Sequence, residues 1–111
     1  MHDRRKNLIV VNGGHLHYTT CTEGGYIITA LWVAHELRGR GKGKQLLNAA
    51  KRDLGGPLML VVMPEIDREH PVTREYLESY YASQGFVNHP TAGRGAMVWH
   101  PPVTARSRQV R

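Results

Sequence analysis

The chain has 111 residues, 41% of them hydrophobic, a formal net charge of +6 and one cysteine. A chain of this size buries one modest core and leaves too little apolar surface for a second domain. It carries no apolar run long enough for a membrane span, no secretory leader pattern and no Cys and His pairs at zinc spacing. A single cytosolic domain without structural metal is therefore expected.

Basic residues gather in three places: Arg4, Arg5 and Lys6, then Arg38, Arg40, Lys42 and Lys44, then Arg106, Arg108 and Arg111. Charge without apolar partners rarely joins a core. Residues 1–6 therefore read as a solvated basic tail, 7–100 as the domain and 101–111 as a disordered basic tail. Either tail is a candidate grip for nucleic acid or an acidic partner, with simple solvation as the commoner fate.

Along the chain, Leu8 to Val11 forms a short β-branched run, and Asn12-Gly13-Gly14 supplies residues that tolerate a tight turn. Leu16, Tyr18 and Thr20 alternate with His17 and Thr19, and Glu23-Gly24-Gly25 turns the chain into Tyr26 to Val33. Three antiparallel strands follow from this pattern. From Gly43 the period changes, and Leu46, Leu47, Ala49, Ala50 and Leu54 share one helical face until Gly55-Gly56-Pro57 stops the helix. Leu58 to Met63 is a continuous apolar run, expected to be a strand buried on both faces and parallel to the strand before the helix.

Pro64 to Pro71 reads as a loop. Thr73 is a candidate N-cap for a second helix with Tyr76, Leu77, Tyr80 and Tyr81 facing inward and Gly85 just past its end. Phe86-Val87 and Ala96 to Trp99 then close the fold as a hairpin. The fold class is α/β: a mixed, mostly antiparallel sheet with two main helices.

The segment Arg38-Gly39-Arg40-Gly41-Lys42-Gly43-Lys44 joins a strand to a helix. A helix N-terminus presents unpaired N–H groups and partial positive charge, and glycines let a phosphate approach them closely. A phosphate or pyrophosphate cradle is the physical inference. The spacing fits neither of two familiar cradles. A nucleotide P-loop needs four residues between its first Gly and its Gly-Lys, with Ser or Thr next, whereas three separate Gly39 from Gly43 and Gln45 follows Lys44. A dinucleotide fingerprint needs Gly-x-Gly-x-x-Gly, whereas these glycines alternate. An Arg-Gly segment for nucleic acid remains the rival, although no aromatic residue interrupts the run for stacking.

The stretch from Leu31-Trp32-Val33 through Arg38-Gly39-Arg40-Gly41-Lys42-Gly43-Lys44 to Leu47 resembles the signature of the GNAT superfamily of N-acetyltransferases. In that family a strand ending in Leu-x-Val is followed by Arg-x-x-Gly-x-Gly and a helix. Tyr80-Tyr81-Ala82-Ser83-Gln84-Gly85-Phe86 resembles the family's second signature, with Tyr81 at the tyrosine position. The resemblance implies a GNAT-like fold that transfers an acetyl group from acetyl-CoA (coenzyme A) to an amine. By it, the main chain of Leu31, Trp32 and Val33 would bind the pantetheine arm, and Arg38, Gly39, Arg40, Gly41, Lys42, Gly43 and Lys44 the pyrophosphate. Tyr81 would be the general acid toward the departing thiolate, against the commoner fate of an aromatic on an apolar helical face.

The resemblance covers roughly residues 16–99, and two departures stand out. Arg74 occupies a position where relatives often carry a cofactor-contacting Asn. The first strand and two helices of most relatives are not expected either, which leaves an open cleft. Such a cleft suits a peptide or protein lysine, and similarly short relatives occur in phages and mobile elements. A lysine acceptor near pKa 10.4 needs about 4 to 5 kcal/mol to reach its neutral form at pH 7. The strand Tyr26 to Val33 carries no carboxylate or imidazole to help. Glu23, His35, Glu65, Asp67 and His70 are the candidate bases, each more often a plain surface residue. A CoA-binding module without turnover, and a module gripping nucleic acid or an acidic partner, are the alternatives. The acceptor and the oligomeric state are not legible.

Overall fold

A computed structural model of the chain describes residues 1–34, 40–62, 73–93 and 95–102. Its strands are β1 His2–Asp3, β2 Leu8–Val11, β3 Gly14–Thr20, β4 Tyr26–Val33, β5 Leu58–Val61, β6 Val87–Asn88 and β7 Ala96–Trp99. Helix α1 spans Lys42–Leu54 and α2 spans Arg74–Ser83. One sheet runs in the order β1-β2-β3-β4-β5-β7-β6, antiparallel except where β4 meets β5 in parallel. The α/β class, the three-strand meander and the parallel pair follow the sequence pattern.

Paired residues share a face of the sheet, which makes its two sides easy to assign. Ile9, Leu16 and Leu31 align across three strands, and with Tyr18, Ile28, Leu58 and Leu60 they form the inner face. Leu46, Leu47, Ala49 and Ala50 of α1 bury against that face, with Leu46, Leu47 and Ala50 at 0% exposure. Leu77, Tyr80 and Tyr81 of α2 pack on the same cluster. Lys51 of α1 joins the two helices from the side: its Nζ donates to the Gln84 carbonyl at 2.5 Å and lies 5.1 Å from the centre of the Trp99 ring. Both described helices thus lie on one face.

This arrangement corrects the double-sided burial expected of Leu58 to Met63. Among the described residues no helix covers the second face. Leu58 and Leu60 are buried, whereas Met59 is half-buried and Val61 is 52% exposed. Tyr76 also departs from expectation: at 63% exposure it lies off the inward stripe of α2, which Leu77, Tyr80 and Tyr81 supply.

The first residues pair rather than float. His2 and Asp3 align with Ile9 and Leu8, and the terminal ammonium donates to the Val10 carbonyl at 2.6 Å. His2 Nε2 meets the Tyr18 hydroxyl at 2.5 Å, and its Nδ1 lies 3.4 Å from the Asp53 carboxylate at the end of α1. Polar partners from β3 and α1 therefore fold back a segment whose one apolar side chain, Met1, stays 81% exposed. The expected loop from Pro64 to Pro71 and most of the expected tail from Pro101 lie outside the described residues.

Candidate active site

The site is set by a parting in the sheet. β4 is eight residues long, yet it aligns with β5 only at Tyr26↔Leu58 and Ile27↔Met59. β5 meanwhile continues to pair with β7 up to Val61↔Ala96. The cause lies two residues past the last shared pair. On β3, His17 and Tyr18 are neighbours, but their partners Ala30 and Ile28 are separated by Thr29. Thr29 is thus the extra residue of a β-bulge, and a bulge bends and twists the strand that carries it. From there β4 stays with β3 and leaves β5.

The bulge also sets which groups face the gap. The Ala34 N–H donates to the Gly13 carbonyl at 2.7 Å, so alternate residues on this stretch bond toward β3. The main-chain groups of Leu31 therefore turn to the β5 side. The side chains of Leu31 and Val33 pack on the core, and Trp32 stands on the opposite face at 46% exposure. Leu31, Trp32 and Val33 thus lie on the stretch of β4 that no longer aligns with β5.

Helix α1 begins beyond the end of β4. Its N-cap Gly41 sits at φ 81° in the left-handed region, where glycine is at ease, and no side chain caps the helix. The first intrahelical bond runs from Gln45 N–H to the Gly41 carbonyl at 2.9 Å. The N–H groups of Lys42, Gly43 and Lys44 precede it and lack an intrahelical acceptor. The first turn holds no acidic residue, and a Cβ at Gly41 would meet no atom of the described residues within 4 Å. Arg40, Lys42 and Lys44 add formal positive charge to this end of the helix dipole. Arg38 and Gly39, the other two expected phosphate ligands, lie outside the described residues.

The two tyrosines of α2 occupy different places. Tyr81 is half-buried, its ring 5.8 Å from Phe86 and 5.3 Å from Tyr80 in edge-on contacts. Tyr80 reaches α1, since a Cβ on Gly43 would lie 2.5 Å from its hydroxyl. Burial raises the Tyr80 pKa above its ordinary value, with a further push from Tyr76. This contact between α1 and α2 has no local signal in the sequence, because Gly43 and Tyr80 are brought together only by helix packing. Thr73 caps α2 as expected, its Oγ1 accepting from Tyr76 N–H at 3.1 Å. Arg74, at the position of the missing Asn, points a guanidinium nitrogen to within 2.7 Å of where a Gly95 Cβ would stand. Of the candidate bases, only Glu23 is described, exposed in the β3–β4 turn; His35, Glu65, Asp67 and His70 lie outside the described residues. No group of three or more metal-ligating side chains occurs among the described residues.

A mixed sheet with two helices on one face and a parting between its parallel strands defines an α/β fold of the acetyltransferase type. The chain has the GNAT fold. An anti-CRISPR protein, AcrVA5, matches 83% of this chain and 95% of its own at a TM-score of 0.67 and 26% identity. A GNAT-family protein from Bacteroides thetaiotaomicron matches 97% of this chain and 69% of its own at a TM-score of 0.62 and 20% identity. A GNAT-family acetyltransferase from Staphylococcus aureus Mu50 covers 91% of this chain and 72% of its own, with a TM-score of 0.60 and 13% identity. No family sequence model and no curated protein sequence matches the chain, so the likeness lies in the fold.

Proposed function

We propose that the protein is an acetyl-CoA-dependent N-acetyltransferase acting on an amine, with a protein lysine as the acceptor class. The observation that carries this reading is the departure of β4 from β5 after Ile27, beside a helix N-terminus with no side-chain cap. An extended amide-bearing arm fits a parted strand edge, because it can satisfy main-chain groups that a neighbouring strand would otherwise pair. A diphosphate fits a cationic first turn with open space at Gly41.

In this reading the main chain of Leu31, Trp32 and Val33 holds the pantetheine arm. Arg40, Gly41, Lys42, Gly43 and Lys44 hold the pyrophosphate, together with Arg38 and Gly39. Acetyl-CoA supplies the activated acyl group as a thioester. The inner face of the gap is occupied by α1 and α2, so the acceptor amine approaches from the other face. Tyr81 is assigned to protonate the departing sulfur. A thiolate like that of Cys, pKa about 8.5, takes a proton from a phenol near 10 at a penalty of about 2 kcal/mol. An outer face that no described helix covers suits a side chain carried by a protein better than a small metabolite, which is usually enclosed.

Thermal denaturation with coenzyme A tests the binding half of the reading. A ligand at a hundred times its dissociation constant stabilises by about 2.7 kcal/mol, so the melting temperature should rise by about 10 °C. Incubation of cell lysate with labelled acetyl-CoA and the protein, followed by mass spectrometry, tests transfer. Tyr81→Phe should keep the thermal shift and lose turnover. Absence of any shift with coenzyme A would remove the reading.

A further inference from the structure

The outer face of the sheet carries a side-chain cluster beside the gap to which nothing above gives a role. Gly14, Leu16 and Tyr18 are buried, so the strand alternation turns His15 and His17 to the outer face. The two imidazoles meet edge-on with centroids 5.2 Å apart at 79°. His15 in turn stacks on Trp32, centroids 5.3 Å apart at 23°. His17 is exposed, and neither of its ring nitrogens has a hydrogen-bond partner among the described residues. It therefore has an unengaged proton acceptor held by an aromatic neighbour.

Its place along the strand matters more. His17 aligns with Ala30, the residue that follows the Thr29 bulge, at the level where β4 parts from β5. Adjacent strands lie about 4.8 Å apart. An imidazole on β3 thus has only the methyl group of Ala30 between it and the near edge of the gap. A bulkier side chain at 30 would wall it off. The groups facing His17 are Leu8 on β2, Ala30 on β4 and His15 on its own strand. His15 is the titratable one among them. Asp3 shares this face from β1, two strands away, where its carboxylate accepts from the N–H groups of Arg5 and Lys6 at 3.0 and 3.3 Å.

We infer that His17 is the proton acceptor for the amine, a catalytic residue supplied by β3 where β4 carries no base. This rests on the acetyltransferase reading of the same gap. The acceptor arrives as an ammonium on the outer face above Ala30, and the neutral His17 imidazole takes one proton from it. The freed amine nitrogen bonds to the thioester carbonyl carbon as the carbon–sulfur bond breaks. The sulfur leaves with the electron pair of that bond and gains a proton, so the remaining surplus amine proton is balanced by the thiol formed. His17 returns its own proton to solvent. His15, fixed by its stack on Trp32, is a positioning residue that holds the His17 ring edge-on.

The test is the pH profile of kcat/KM for labelled acetyl transfer to a lysine peptide, with His17→Ala and His15→Gln beside the wild-type protein. A general base contributes about a hundredfold or more. His17→Ala should lose that much in rate, lose the acid limb of the profile, keep the coenzyme A thermal shift and recover rate when free imidazole is added. His15→Gln should keep the acid limb with a smaller loss. Coenzyme A shift and transfer with an undiminished His17→Ala rate, or an acid limb that vanishes with His15→Gln instead, would overturn the assignment alone. Neither shift nor transfer in the wild-type protein would remove the acetyltransferase reading, and this role with it.

Discussion

Gly43 and the Tyr80 hydroxyl meet where the first turn of α1 touches α2, and that contact makes a measurable trade. Alanine favours a helix over glycine by up to about 1 kcal/mol. Its Cβ, however, would lie 2.5 Å from the hydroxyl oxygen but 3.5 Å from the ring carbon that bears it. Gly43→Ala alone should therefore gain little, whereas in a Tyr80→Phe background it should stabilise by about 0.5 to 1 kcal/mol. A double-mutant cycle by thermal melts reads this coupling. Lys51 gives a second residue-scale prediction. Burial first, then the charge of Lys44, holds its pKa below the ordinary lysine value of 10.5. Between the folded and unfolded values the unfolded chain binds more protons, so this group makes stability rise with pH across that window. Lys51→Met leaves the Gln84 carbonyl without its donor, at a cost of about 1 kcal/mol, or a melting temperature lower by about 4 to 8 °C. Its deficit against wild type should widen as pH climbs toward 10.5.

At the scale of elements, the strands and helices that were legible are those whose signals are local. Asn12-Gly13-Gly14 and Glu23-Gly24-Gly25 mark the two turns of the β2–β4 meander, and Gly55 in the left-handed region ends α1. β1 was hidden because its partners are distant: Tyr18 lies 16 residues beyond His2, and Asp53 stands at the far end of another element. The bulge at Thr29 left no glycine to betray it, and His17 read as the polar half of an alternation until the gap beside it was visible. Of the candidate site, the strand edge and the cationic turn were legible, whereas the contact of Tyr80 with Gly43 needs the packing of two helices. The hold on β1 is itself testable. The hydrogen bond from Arg52 first, then the charges of Arg52 and His2, lowers the Asp53 pKa against a weaker opposing push from burial. A carboxylate with a depressed folded value contributes stability above its unfolded value, near 3.9, and loses it as pH falls through the folded value. Asp53→Asn should therefore be less stable than wild type at neutral pH, and the difference should close in acid.

For the whole molecule, the two faces of the sheet differ: one is filled by helices, the first of which begins in a cationic, glycine-rich turn, and the other leaves side chains exposed beside the gap. Under the proposed function, the +6 charge makes binding of a diphosphate at that turn sensitive to salt. Coenzyme A should bind several-fold more weakly when ionic strength rises from about 0.01 M to 1 M, as the screening length falls from about 30 to 3 Å. S-acetylpantetheine, which lacks the diphosphate, should bind weakly at both and show little of this dependence. Titration calorimetry in the two salts separates the contribution of the cationic turn from that of the strand edge. Thr29 couples these two faces through simple parity. Because side chains alternate with period two, an extra residue taken into the pleat would transpose everything after it, whereas one held out as a bulge does not. Ala30 and Trp32 point outward, and Leu31 and Val33 inward, because Thr29 stays out of the ladder. Excising this single threonine would leave Ile28 and Ala30 as direct neighbours opposite Tyr18 and His17, with every side chain on its present face. The core would keep its packing, and the bend that frees β4 from β5 is what would go.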